Sequence, residues 1–131
     1  MKACPLFQRQ VPMAEAKEVL EAMAEYAKLS NSNTRLKKMN RDWSKVIQFH
    51  ANDLNQDFTM IVKAGEVLET RAGIPTDPPD IVISSTSEVF CDMFWGDLNP
   101  TQKYLTGELQ VKGSQEDIMR LDAISAVIWP E

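Results

Sequence analysis

Apolar residues recur at three- and four-residue steps through Ala16, Val19, Leu20, Met23 and Ala27, which predicts a helix over about 13–29 with one buried stripe. Pro12 suits its first turn, where a missing N–H costs nothing. Glu15, Glu18, Glu21 and Glu25 fall on other faces and are expected to meet water. Ser30-Asn31-Ser32-Asn33 interrupts this helix, and a short basic helix follows to about Met39. The pattern then changes period. Trp43 to His50 is rich in β-formers, with Ile47 and Phe49 on one face, and Phe58 to Lys63 reads as a second strand. Ala64-Gly65 makes a tight turn into Glu66-Val67-Leu68-Glu69-Thr70, which completes an antiparallel meander.

Gly73 to Pro79 holds three prolines and reads as a linker, because proline cannot donate to a strand ladder. Asp80-Ile81-Val82-Ile83-Ser84 is a fourth strand. Ser85-Thr86-Ser87-Glu88 has capping-box spacing, and the helix it opens carries Val89, Phe90, Met93, Phe94 and Trp95 before Gly96 stops it. Asn99-Pro100 starts a further short helix, ended by Gly107. Glu108 to Lys112 alternates as a fifth strand. Ser114 caps a last helix, where Ile118, Leu121, Ile124, Ser125 and Ile128 recur at helical steps. The order predicts an α+β fold, a five-stranded mostly antiparallel sheet packed against helices. We expect one domain over 1–131, with a helical segment at 13–39 and the sheet with its helices at 43–128.

Length and composition add bounds to this picture. With 131 residues, 44% hydrophobic and 25% charged, the chain has the make-up of an ordinary globular domain. No window has the ~18 apolar residues that a membrane span requires. The first residues lack an apolar signal core, so the expected location is the cytoplasm. In that compartment Cys4 and Cys91 are expected to be reduced, with Cys91 a small buried hydrophobe on the aromatic helix.

The net charge of −5 conceals an asymmetry: residues 1–50 sum to +4 and residues 51–131 to −9. An acidic whole argues against nucleic-acid binding, which needs a broad basic footprint. Arg35, Lys37, Lys38 and Arg41 nevertheless form a local basic cluster. It reads first as cations meeting a helix C-terminus, and second as a contact for lipid headgroups or a membrane surface.

Candidate chemistry is sparse. His50 is the only histidine, which removes multi-histidine metal sites, and no hydrolase or nucleotide-binding fingerprint occurs. The serines around Ser84–Ser87 read as helix caps, and His50 as a partly exposed strand-end residue. Asp117 and Asp122 read as the polar side of the last helix. We therefore expect no catalytic residue, no metal and no cofactor. The aromatic helix is apolar on more than one face, so it must touch more than one apolar surface. Seven methionines, adaptable in shape, suit a variable hydrocarbon cavity, although on composition alone a filled core is the better reading.

The chain resembles the sterol-carrier-protein-2 family at Asp80-Ile81-Val82-Ile83-Ser84, Ser87-Glu88-Val89-Phe90, Gly96-Asp97-Leu98-Asn99-Pro100 and Thr106 through Ser114, on to Leu121. Weaker similarity runs through Val46 to Phe49 and Met60 to Gly65. The chain departs from the family at Ser114, where aspartate is frequent, and at Lys103, where a small residue is common.

The resemblance implies that the sheet and helices enclose a hydrophobic tunnel for lipid, fatty acyl chain, acyl-CoA or sterol. By analogy its walls would be Phe49, Met60, Phe90, Met93, Phe94, Leu105, Leu121, Ile124 and Ile128. Non-catalytic lipid binding and transfer is the function implied. The alternative is a filled-core accessory subunit that supports a lipid-metabolising enzyme partner.

Overall fold

The computed structural model describes residues 12–129. In chain order these form α1 (Pro12–Asn31), α2 (Thr34–Met39), β1 (Lys45–Ala51), β2 (Gln56–Lys63), β3 (Glu66–Ala72), β4 (Ile81–Ser85), α3 (Ser87–Trp95), α4 (Pro100–Thr106), β5 (Gln110–Lys112) and α5 (Gln115–Ile128). Cys4, the chain ends and the side chain of Glu15 lie outside what is described.

One sheet runs in the order β3-β2-β1-β4-β5. The meander β1–β2–β3 is antiparallel, with Phe49 opposite Phe58 and Met60 opposite Thr70. The single parallel pair is β1 with β4, where Phe49 faces Ile83, and β5 returns antiparallel to β4. Placing β4 on the far side of β1 requires the proline-rich linker to carry the chain back across both β2 and β1, which fits a segment unable to join a ladder.

Burial alternates along the strands as a two-layer architecture demands. Ile47, Phe49 and Ala51 of β1 are buried, as are Ile81, Ile83 and Ser85 of β4, while Gln48, His50 and Ser84 are half-buried on the other face. Against the apolar face pack Val19, Ala22 and Met23 of α1 and Phe90, Cys91, Met93 and Phe94 of α3.

Local chemistry fixes the ends of the elements. Asn33 caps α2 through Leu36 N, Asn99 caps α4 through Thr101 N, and Ser114 caps α5 through Asp117 N. Gly96 and Gly107 end α3 and α4 in the left-handed conformation.

Three expectations need correction. The cap of α3 is Thr86, whose hydroxyl accepts from Val89 N at 3.3 Å. Ser85 is instead drawn to Glu108 O at 2.7 Å, and Ser87 to Asp53 at 2.7 Å. Strand β5 is shorter than its alternation suggests, because Glu108 N and Leu109 N both bond Lys103 O at the end of α4. Cys91 is fully buried as expected, but it is disulfide-bonded rather than reduced.

Candidate lipid cavity

Between the apolar sheet face and the last two helices lies a cavity of about 490 Å³. Its floor is sheet: Ile47 and Phe49 from β1, Met60 from β2, Ile83 from β4 and Val111 from β5. Strand alternation places these side chains on one face. Its inner wall is Met93 and Phe94 of α3 with Tyr26 of α1, and its outer walls come from α4 and α5. Its mouth carries apolar residues exposed to solvent, Leu105 at 74%, Met119 at 64% and Tyr104 at 42%.

An aromatic cluster shapes the inner wall. Phe49 meets Phe90 and Phe94 edge-on with centroids 5.5 and 5.3 Å away, and Tyr26 stacks on Trp129 at 5.9 Å and 9°. Such contacts add to burial and hold the rings in place. Desolvation pushes the Tyr26 phenol up to about 12, against a hydrogen bond with Ser30 that lowers it. That wall is therefore uncharged at any physiological pH.

Of the residues expected to form a tunnel, Phe49, Met60, Met93, Phe94, Leu105, Leu121 and Ile124 line this cavity. Phe90 does not: it is fully buried behind Phe49 and Phe94. Ile128 lines a second cavity of about 370 Å³, which shares Phe94 and Trp129 with the first as a common wall. In that wall the indole N–H of Trp129 is buried without a hydrogen-bond partner among the described residues.

The sequence reading missed Tyr26, Thr101, Tyr104, Met119 and Trp129 as wall residues. Tyr26 was findable, since it lies one helical turn beyond Ala22 and Met23 on α1. Trp129 had no signal, because it follows the last periodic position.

Arg35, Lys38 and Arg41 are exposed on and just after α2, while Lys37 pairs with Glu66 at 3.3 Å. None of the four lines the cavity.

His50 Nδ1 lies 2.9 Å from Asp57 Oδ1 on the opposite sheet face, with Ser84 as its cross-strand neighbour. No hydrogen bond joins Ser84 to the imidazole among the described residues, and neither cavity includes these three. No group of three metal-ligating side chains forms among the described residues. No helix there is long and apolar enough to cross a membrane.

The family model described as the SCP-2 sterol transfer family matches residues 21–125. The chain belongs to the SCP-2 sterol transfer family.

That membership covers most of the chain, from the middle of α1 into α5. The chain is similar to the human Hydroxysteroid dehydrogenase-like protein 2, at 36% identity over 52 residues. That stretch is 40% of this chain and only 12% of the human protein. In fold it is similar to a crystal structure of sterol carrier protein 2, with a TM-score of 0.61 and 15% identity, covering 81% of this chain and 88% of the other. It is also similar to palmitated SCP2L2 from Aedes aegypti, with a TM-score of 0.52 and 11% identity, covering 77% and 91%. At these identities the two structures establish the SCP-2 fold, with its α+β sheet and helices, and nothing finer.

Proposed function

We propose that this SCP-2 domain binds and transfers a lipid or fatty acyl chain without making or breaking bonds, and that the chain lies in the cavity between the sheet, α4 and α5. The cavity itself carries this reading: it is apolar, of a size usual for small-molecule sites, and open through an exposed apolar mouth.

Burying a dodecyl chain at ~0.8 kcal/mol per methylene gains roughly 10 kcal/mol. Association costs of ~4–15 kcal/mol in lost freedom and ordering leave a modest affinity. A carrier must release what it binds, and modest affinity permits that. Exposed Arg35, Lys38 and Arg41, outside the cavity, are free to contact an anionic membrane surface during transfer.

Displacement of an uncharged, polarity-sensitive fluorophore by unlabelled lipids tests the proposal. We expect saturable binding that Phe94→Asp weakens by at least about tenfold, because a carboxylate facing the chain loses hydration without gaining a partner. Leu105→Ala, at an exposed position, should weaken binding less and leave the fold untouched. A folded protein that binds neither fluorophore nor lipid rules the carrier reading out.

A second reading, an accessory role beside a lipid-metabolising enzyme, draws on the similarity to part of a dehydrogenase-like protein. Its test is whether adding the domain still changes turnover by such an enzyme when lipid binding is weakened by Phe94→Asp.

A further inference from the structure

The mouth of the cavity is one-sided in charge and in hydrogen-bonding sense. Asp122, exposed on α5, is the only Asp, Glu, Lys or Arg among the described residues that line the cavity. Its Oδ1 accepts from Thr101 Oγ1 of α4 at 3.2 Å. That bond uses the one proton the threonine hydroxyl has to give. What this pair still offers is lone pairs, on the carboxylate and on Thr101 Oγ1. Tyr104 adds a phenol at the rim that can donate or accept.

The cations on the neighbouring turns are occupied elsewhere. Lys103 Nζ bonds Glu108 Oε1 at 2.9 Å. Arg120 donates to Asn40 Oδ1 at 2.9 Å and Met39 O at 3.1 Å, with its guanidinium over the Trp43 ring. Lys45 is held by Asp117 at 3.2 Å. A carboxylate or phosphate brought to this rim meets a like charge and spare acceptors, and among the described residues no lysine or arginine lines the cavity to pair with it. A hydroxyl brought there finds acceptors for its proton.

Resting on the carrier reading, we propose that the polar end of the ligand is an uncharged hydroxyl, and that Asp122 with Thr101 selects hydroxyl lipids over anionic ones. The palmitated neighbour shares the fold, and the rim would set this chain apart from acid binding.

The test compares dodecanol with dodecanoate, equal in chain length, as competitors for the uncharged fluorophore on the full chain at neutral pH. Dodecanol should displace it at the lower concentration. Asp122→Asn should narrow the ratio of the two affinities by about two- to fivefold, the scale of a solvent-exposed charge interaction. Asp122→Lys should narrow it further, and added salt should weaken the effect in the wild type. Asp122 is exposed, so both variants should fold.

Tighter binding of dodecanoate by the wild type overturns the proposal, and so does a ratio that Asp122→Asn leaves unchanged. If neither lipid competes, it is the carrier reading that fails, and the selection falls with it.

Discussion

Asp117 is 5% exposed, a carboxylate in the first turn of α5 enclosed by Trp43, Lys45 and Ser114. Burial acts to raise its pKa, yet Trp43 Nε1 at 3.1 Å, Lys45 Nζ at 3.2 Å with its charge, and Ser114 together hold it below the ordinary 3.8. A carboxylate depressed by folding contributes stability that is present above its unfolded pKa and is lost as pH falls through the folded value. We expect Asp117→Asn to lose about 1.5–3 kcal/mol at neutral pH, the scale of hydrogen bonds to a charged group. Urea unfolding measures this, and the gap between wild type and variant should close in acid, below the ordinary carboxylate range. Equal gaps at both pH values would show that the charge is not what matters. The helical pattern placed Asp117 on the polar side of α5, and it had no means of showing this enclosure. Trp43 lies 74 residues away, and only the folded chain brings the two together.

At the scale of elements, the edge strand β3 is anchored by a side chain. Asn31, at the end of α1, donates to Val67 O at 2.9 Å and accepts from Val67 N at 2.8 Å, so a helix side chain stands in for the missing neighbouring strand. One turn away, Gly65 (φ +80°) lies so close to Asn40 that an added Cβ would sit 2.8 Å from its carbonyl oxygen. Gly65→Ala therefore meets both a left-handed backbone and a backbone clash, and we expect a loss of about 2–3 kcal/mol, near the upper end for ordinary substitutions. Thermal unfolding checks it, with Gly107→Ala, where no atom lies within 4 Å of the added Cβ, as the comparison that isolates backbone strain. Element starts and stops were legible because Asn99-Pro100, Ser114, Gly96 and Gly107 act within a few residues of themselves. The true cap of α3 and the length of β5 were not. Ser85, Ser87 and Leu109 are claimed by Glu108, Asp53 and Lys103, and a local pattern carries no record of that competition.

Across the whole molecule, the sheet and the aromatic helix were readable, and with them the floor and inner wall of the cavity. Phe49, Met60 and Phe94 owe their places to strand alternation and to an unusually apolar helix. Tyr104, Thr101 and Trp129 owe theirs to how α4 and the end of α5 lie over the sheet, which composition and period do not encode. Helix α4, one of the outer walls, is lightly anchored. Helix α4 has seven residues and buries none of them. Its amides should exchange with solvent faster than those of β1, which is paired on both sides. Bound lipid should slow α4 far more than β1 in the same hydrogen-exchange experiment. Uniform protection across α4 and β1 in the empty protein would contradict this.

That weak anchoring bears on turnover. If the wall over the cargo opens for a small part of the energy that holds the sheet together, loading and unloading proceed at a rate set by one helix. Global unfolding, with its aggregation hazard, then stays a rare and separate event. Substitutions that tighten α4 should lengthen the residence time of the cargo while barely moving the melting temperature, so traffic and durability can be tuned independently.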